Sequence, residues 1–251
     1  MTRWAFLDHP GPLPFAHRGG ACERPENTMA AFEHAVRLGY RYVETDVRAT
    51  ADGVAVIFHD ERLDRLTELT GRIAERRWAE LSPARVNGLE PVPRLDDLLG
   101  AWPHLRVNID PKHDAAVAPL VEVLERTRAH GRVCVGASSD RRLASFRRLS
   151  GGWVCTSMGR AEIARLRLAS YGARPGRLAA ACVQVPVRHR RLPVVDPRFI
   201  AAAHRRGLQV HVWTIDDASE MDRLLDLGVD GIMTDRPTLL REVLRRRGQW
   251  A

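Results

Sequence analysis

Short apolar runs rich in β-branched residues alternate with longer amphipathic stretches from one end of the chain to the other. This alternation is typical of a parallel α/β sheet, in which each strand is followed by a helix that packs on the sheet. The pattern predicts nine strands, which are Phe15–His17, Tyr42–Arg48, Val54–His59, Arg106–Asp110, Val133–Gly136, Trp153–Thr156, Cys182–Val185, Val210–Trp213 and Gly231–Thr234.

The helices predicted between these strands have recognisable ends. Thr28 or Asn27 caps a helix that stops at Gly39, because side-chain oxygens bind the free N–H groups at a helix start and glycine accepts the left-handed conformation after a helix end. Pro237 lies where the first turn of a carboxy-terminal helix begins. No linker or low-complexity tract divides the chain. Since α/β barrels commonly occupy about 250 residues as one unit, we expect a single domain over residues 1–251.

One predicted strand lies outside an eightfold repeat of strands and helices. Asp52-Gly53 is a strong hairpin turn signal between two alternating runs, so the second run is expected to be antiparallel to the first. If the pairing is centred on this turn, Asp46 lies opposite His59, and Glu44 shares their face because side chains alternate along a strand. A loop of different length would shift this pairing.

The basic residues include one unusual member. The chain carries a formal net charge of +8, with 39 lysines and arginines against 31 acidic residues. The arginines are scattered among acidic residues on predicted helix surfaces, without a basic stripe interleaved with aromatic residues. We therefore expect a solvated surface and no nucleic-acid partner. Lys112 is the only lysine, which indicates a place where a compact ammonium group does what a guanidinium cannot.

The cysteines and the apolar segments bear on the location of the protein. Cys22, Cys134, Cys155 and Cys182 show no C-x-x-C spacing, and the last three lie inside apolar runs, so we expect buried free thiols. No segment approaches the roughly 18 apolar residues of a membrane span. The first apolar run is broken by Asp and Pro before it reaches the length of a signal peptide. We expect a cytoplasmic protein without stable membrane insertion.

Carboxylates and histidines are predicted at strand ends. Glu44 and Asp46 project from the same face of one strand, and Asp110 ends another, which would form the hard oxygen site that Mg²⁺ or Ca²⁺ prefers. His17 and His59 have the ordinary imidazole pKa that suits proton transfer near neutrality. Each residue also has a simpler interpretation, because strand-end carboxylates are commonly solvated and histidines commonly pack against helices.

The ordered motifs resemble those of the glycerophosphodiester phosphodiesterases, within the phospholipase C-like phosphodiesterase superfamily. The resemblance covers nearly the full length, and the amino-terminal series is specific in its order and spacing. The matching motifs are His17-Arg18-Gly19-Gly20, Pro25-Glu26-Asn27-Thr28, Ala31-Phe32 with Gly39, Glu44-x-Asp46-Val47, Thr50-x-Asp52-Gly53, His59-Asp60, Val212-Trp213-Thr214-Ile215-Asp216 and Gly228-Val229-Asp230-Gly231-Ile232-Met233-Thr234-Asp235.

This resemblance implies a (β/α)8 TIM barrel with a β-hairpin extension after the second strand and a catalytic mouth at the carboxyl ends of the strands. It implies metal-dependent hydrolysis of small glycerophosphodiesters to glycerol 3-phosphate and an alcohol, with Mg²⁺ or Ca²⁺ as cofactor. By motif position, it implies that His17 and His59 are the general acid and base, that Glu44, Asp46 and Asp110 bind the metal, and that Arg18 and Lys112 contact the phosphate.

Trp213 and two departures from the family pattern leave alternatives open. Trp213, at a strand end, packs either against the glycerol or leaving alcohol or in the core at the barrel top. The family usually has glutamate where this chain has Asp110, so either the metal lies closer to that strand or a water bridges. Leu66 stands where the family often has a threonine, which removes any contact from that hydroxyl.

Two other functions compete with this interpretation. A lysophospholipase D-like activity on the same barrel would need an apolar groove for an acyl chain, and no tryptophan-rich or amphipathic loop is evident. A noncatalytic barrel that binds phosphorylated ligands or a protein would not need two histidines and three acidic positions. The route of attack, by water or by the substrate's own 2-hydroxyl through a cyclic intermediate, stays open.

Overall fold

The strands of this computed structural model, which describes residues 4–190 and 192–250, confirm the predicted alternation. In chain order they are β1 Leu13–Ala16, β2 Tyr42–Ala49, β3 Ala55–Ile57, β4 Arg85–Val86, β5 Glu90–Pro91, β6 Arg106–Pro111, β7 Val133–Val135, β8 Cys155–Thr156, β9 Cys182–Pro186, β10 Arg188–His189, β11 Leu192–Pro193, β12 Gln209–Trp213 and β13 Gly231–Thr234. Each of the nine predicted strands overlaps one of them.

Eight parallel strands of the described residues form the barrel wall, in the order β8-β7-β6-β2-β1-β13-β12-β9. A parallel bridge between Ser157 and Cys182 joins the two ends of this series. The Met158 N–H donates to the Cys182 carbonyl at 3.0 Å, and the Ala181 N–H donates to the Thr156 carbonyl at 2.8 Å. The predicted TIM barrel is therefore confirmed.

Helices cover the outside of the barrel, and the first of them starts at a side-chain cap that the sequence predicts. Thr28 Oγ1 accepts a hydrogen bond from the Ala31 N–H, so Thr28 and not Asn27 is the cap of the first helix. No helix within the described ranges is long and apolar enough to cross a membrane. The helices are α1 Met29–Arg37, α2 Trp78–Leu81, α3 Leu95–Ala101, α4 Val117–Thr127, α5 Asp140–Leu149, α6 Arg160–Ala169, α7 Pro197–His204, α8 Ala218–Leu227 and α9 Pro237–Arg246.

The predicted hairpin forms, but its register differs by one residue from the expected one. β3 is antiparallel to β2, and the Phe58 N–H donates to the Asp46 carbonyl at 3.0 Å. Asp46 thus lies beside Phe58, and the prediction that it lies opposite His59 is wrong. The reason is the loop length: the Thr50 N–H donates to the Val54 carbonyl at 3.0 Å, so three residues and not two separate the paired positions.

An aromatic cluster fills the amino end of the barrel. The Phe6 ring contacts the Tyr42 ring edge to face, with the ring centroids 5.5 Å apart. The Phe15 ring contacts the same tyrosine, with the centroids 5.2 Å apart. All three side chains are buried. These close-packed aromatic rings exclude water from this end of the barrel.

Candidate active site

Two neighbouring strands bring three acidic side chains to the carboxyl end of the barrel. β2 and β6 pair in parallel, with Glu44 beside Asn108 and Asp46 beside Asp110. Glu44 and Asp46 are buried, and the Asp110 side chain is 29% exposed. The alternation of side chains along β2 places Glu44 and Asp46 on the inward face, as the sequence predicts.

Lys112 bridges two of these carboxylates. Its Nζ lies 2.7 Å from Asp46 Oδ1 and 2.7 Å from Asp110 Oδ2. Arg18 approaches the other side of the same carboxylate, with its Nε 3.2 Å from Asp46 Oδ2. Burial alone would raise the pKa of Asp46, but these two cations hold it below its usual value. The lone lysine of the chain therefore lies at the centre of the acidic cluster.

Glu44 differs from Asp46 in its electrostatic surroundings. Burial, followed by the negative charge of Asp46, raises the pKa of Glu44 to about 7. Its Oε2 accepts a hydrogen bond from the Arg18 backbone N–H at 3.2 Å. Burial also raises the pKa of Asp110, although Lys112 opposes that effect. Burial, which disfavours the charged form of a carboxylate, is thus the main cause of both shifts in pKa.

The His17 imidazole is held between two acidic side chains. Its Nδ1 donates to Asp235 Oδ1 at 2.6 Å, and its Nε2 lies 3.7 Å from Glu44 Oε2. Burial would lower the pKa of His17, but Glu44 and Asp235 together raise it. The bond to Asp235 fixes the Nδ1–H tautomer when the ring is neutral, so Nε2 is the atom that can exchange a proton.

Asp235 was not predicted as a site residue, although it belongs to the last matching motif. It directly follows β13, and β13 pairs with β1, which His17 follows. The two residues are 218 positions apart in the chain, so only the closure of the barrel brings them together. Asp235 is in turn held by Asp216, whose Oδ1 accepts from the Asp235 N–H at 2.8 Å.

His59 is oriented in the same way by its own carboxylate. Its Nδ1 donates to Asp60 Oδ1 at 2.7 Å, and Arg65 Nε donates to Asp60 Oδ2 at 2.6 Å. The hydrogen bond from Arg65, supported by the one from His59, lowers the pKa of Asp60 to about 2. The His59 backbone is tied to the barrel wall, because Arg48 Nε donates to its carbonyl at 2.9 Å. His59 therefore presents Nε2 as its free nitrogen.

Asn27 and Glu26 support the site from the loop before α1. Asn27 Nδ2 donates to Asp46 Oδ2 at 2.8 Å, and its Oδ1 accepts from Thr45 Oγ1 at 2.9 Å. The alternative that Asn27 caps the first helix is wrong, because its side chain reaches into the barrel. Glu26 Oε1 accepts from Arg18 Nη1 at 3.1 Å. These contacts place the Arg18 guanidinium beside Asp46.

Trp213 and Asp110 lie slightly apart from the other predicted site residues. Trp213 ends β12 at the carboxyl rim, and it is 42% exposed, which places it in contact with solvent and not in the barrel core. Glu44, Asp46 and Asp110 line one wall, but in the described part of the chain they do not form a set of three whose oxygen atoms all lie within 4.8 Å of one another. Cys22, Asp216 and Asp235 do form such a set.

This arrangement combines the components that hydrolysis of a phosphate ester needs. Two imidazoles are each oriented by a carboxylate through Nδ1, so both can transfer protons through Nε2. Arg18 and Lys112 provide two positive groups at the same end of the barrel. The buried carboxylates provide hard oxygen ligands for a divalent cation.

Comparison with known proteins decides the family. The sequence model of the glycerophosphoryl diester phosphodiesterase family matches residues 17–239, which includes every site residue described above. The chain belongs to this family. It is therefore an enzyme of the phosphoric diester hydrolase class. Members of the family generally depend on a divalent metal ion.

Individual relatives agree with this assignment. The chain is 45% identical to the probable glycerophosphodiester phosphodiesterase 2 of Mycobacterium tuberculosis, over 98% of this chain and 95% of the relative. It is 29% identical to the lysophospholipase D GDPD1 of Rattus norvegicus, over 91% of this chain and 85% of that protein. A glycerophosphoryl diester phosphodiesterase structure from Silicibacter pomeroyi has a TM-score of 0.82 at 25% identity and covers 98% of each chain.

Another solved structure shows the same fold. A phosphodiesterase from Oleispira antarctica, in complex with the product sn-glycerol-3-phosphate, superposes with a TM-score of 0.79 at 24% identity. It covers 93% of this chain and 97% of its own.

Proposed function

We propose that this chain hydrolyses water-soluble glycerophosphodiesters to glycerol 3-phosphate and an alcohol, with residues 1–251 acting as one catalytic domain. The observation that carries this proposal is the pair of carboxylate-oriented histidines at the mouth of the barrel. His17 is held by Asp235 and His59 by Asp60, each through Nδ1. One imidazole Nε2 removes the proton of the attacking hydroxyl, and the other protonates the leaving alcohol oxygen.

Arg18 and Lys112 bind the nonbridging phosphoryl oxygens in this proposal. Both side chains already lie beside buried carboxylates, and both keep part of their surface open to the mouth. Negative charge grows on the phosphoryl oxygens as the leaving alcohol departs, so fixed positive groups stabilise the transition state more than the substrate. Trp213 lies at the same rim and contacts the glycerol or the leaving alcohol.

Glu44, Asp46 and Asp110 hold the divalent metal, which we propose is Mg²⁺ or Ca²⁺. The donor set fits, because all three side chains offer carboxylate oxygen, the ligand type that these hard cations prefer. The shorter Asp110 carries the Lys112 ammonium on one oxygen, which leaves the other for a cation. When bound, the metal supplies positive charge that offsets charge on the phosphoryl oxygens.

The substrate class is tested by comparing two choline esters. We expect purified protein to release glycerol 3-phosphate from glycerophosphocholine at least about 100-fold more efficiently, in kcat/KM, than it releases lysophosphatidic acid from lysophosphatidylcholine. A coupled choline assay measures both reactions with one detection step. Faster turnover of the lysolipid would instead favour the lysophospholipase D activity that the name of the rat relative describes. Absence of turnover with both, in metal-loaded protein, would favour the noncatalytic barrel.

Lys112→Arg tests the role of the compact ammonium. We expect kcat/KM for glycerophosphocholine to fall by about 10- to 100-fold, because a planar guanidinium is broader than the ammonium that lies 2.7 Å from both Asp46 Oδ1 and Asp110 Oδ2, so it takes up space beside them and displaces the phosphate. Steady-state kinetics measure the change. The matched control is Arg37→Lys, an exchange of the same two residue types on an exposed part of α1, which should leave kcat/KM unchanged. Equal activity of Lys112→Arg and wild type would contradict the role.

A further inference from the structure

Three cysteines meet inside the barrel, away from the site described above. Cys134, Cys155 and Cys182 lie on the consecutive strands β7, β8 and β9, and all three are essentially inaccessible to solvent. Their sulfur atoms all lie within 4.8 Å of one another, and the sulfurs of Cys134 and Cys182 are 3.9 Å apart. The three thiols are free. The expectation of buried free thiols is thus confirmed for these residues, whereas Cys22 is exposed.

We propose that Cys134, Cys155 and Cys182 form a buried site for a soft divalent cation, and that the cation is Zn²⁺. Three thiolates bound at the usual zinc–sulfur distance of about 2.3 Å in tetrahedral directions lie about 3.8 Å from one another. The 3.9 Å between two of the sulfurs already matches this spacing. The third needs to move by less than about 1 Å, which a cysteine rotamer adjustment provides.

Among the described residues of this cluster only the three sulfurs lie within 4.8 Å of one another, and His211 on β12 would supply the fourth donor after its ring turns towards them. Its ring is fully buried, and it contacts the Cys182 thiol. His211 Nε2 donates to Gln209 Oε1 at 3.1 Å, and Nδ1 lies 3.4 Å from Gln184 Nε2, a long contact that a metal bound at Nδ1 would replace. Three thiolates and one imidazole are a ligand set typical of closed structural zinc sites.

The charge of the cluster favours zinc over copper. Cys134, Cys155 and Cys182 pack in one apolar cluster with Phe15, Tyr42 and Met233. Buried charge is costly when it is unpaired. Three thiolates around Zn²⁺ leave one excess negative charge, and around Cu⁺ they leave two. Burial of the zinc site therefore costs less free energy.

The site is sealed, so the ion enters while the chain folds. The aromatic cluster at the amino end and the three buried strands leave the sulfurs no contact with solvent. Metal binding is then part of the folding free energy, and a chelator removes the ion only when the barrel opens. This property separates the thiol site from the proposed site at the mouth, where an oxygen-bound ion exchanges with solvent. The inference does not depend on the proposed hydrolytic activity.

The test is elemental analysis of the purified full-length chain. Protein is produced in medium with zinc and, separately, in medium with excess copper, and is then dialysed against EDTA in the native state. We expect about one zinc per chain in wild type and in Cys22→Ser, the matched exposed-cysteine control. The triple variant Cys134→Ala, Cys155→Ala, Cys182→Ala should hold less than about one tenth of this amount. Copper in place of zinc under both conditions would overturn the choice of ion.

A second measurement needs no folded variant. In wild type alone, unfolding in guanidinium chloride should release about one zinc per chain to a colorimetric zinc chelator, whereas the same chelator should remove little zinc from the folded protein. Wild-type protein that contains neither zinc nor copper would overturn the proposal. Zinc that persists in a folded triple variant would do the same, because another group of residues would then hold it.

Discussion

His17→Ala and His59→Ala are each expected to lower kcat/KM for glycerophosphocholine by about 10²- to 10⁴-fold, the range typical for loss of one general acid or base. In each histidine Nδ1 is bonded to a carboxylate, that of Asp235 for His17 and that of Asp60 for His59. Proton transfer therefore has to use Nε2. Alanine has no titratable side chain, so the transfer through this position is lost. Steady-state release of choline measures the effect.

The folded state should survive both substitutions. The His59 side chain is one-third exposed, and neither histidine belongs to the apolar clusters that hold the barrel together. Circular dichroism and thermal unfolding should therefore match wild type closely. His104→Ala is the control, because His104 is exposed and precedes β6, at the opposite end of the barrel from the mouth. Full activity in either His17→Ala or His59→Ala would remove the acid and base assignment.

Removal of divalent metal is the second change with a large expected effect. Dialysis against EDTA should lower turnover of glycerophosphocholine by more than about 100-fold, and Mg²⁺ or Ca²⁺ in excess should restore it. The physical reason is that Glu44, Asp46 and Asp110 place negative charge where we propose that the phosphate binds. Without the ion, these carboxylates repel the substrate, and Lys112 and Arg18 stay paired with them.

Variants connect this loss to the acidic residues. Glu44→Gln keeps the side-chain volume but removes the charged oxygen, so it should weaken the apparent affinity for the activating ion by about 10- to 100-fold, the range seen when a metal site loses one supporting group. Glu33→Gln on α1, an exposed residue of the same type, is the control. Titration of activity with Mg²⁺ and with Ca²⁺ measures the affinity. Undiminished turnover in EDTA, with elemental analysis showing no bound magnesium or calcium, would exclude the carboxylate site.

Local patterns in the chain were sufficient to predict the strands of the barrel and of its hairpin, but not the short strands β4, β5, β10 and β11. The alternation of apolar runs and amphipathic stretches places a strand at each of the nine predicted positions, because the hydrophobic period depends only on neighbouring residues. Capping side chains and glycines predict the helix ends for the same reason. Glu44 and Asp46 also fall on one face as predicted, since alternation along β2 is a local property.

The hairpin shows where local prediction loses accuracy. Asp52-Gly53 correctly indicates a turn, but the number of loop residues depends on which backbone groups pair across it. The bond from the Thr50 N–H to the Val54 carbonyl gives a three-residue loop and moves Asp46 beside Phe58. A change of one residue in register exchanges the faces of a strand, so the position of His59 could not be derived from the turn signal alone.

Contacts between distant parts of the chain depended on barrel closure. Asp235 orients His17 because β13 pairs with β1, and Asn27 binds Asp46 because its loop folds into the barrel. The three thiols meet because β7, β8 and β9 curve around a narrow interior. No periodicity or motif encodes such distances, since they follow from the number, tilt and packing of all eight strands. The sequence therefore identifies which residues can carry the chemistry, and the closed barrel sets which of them touch.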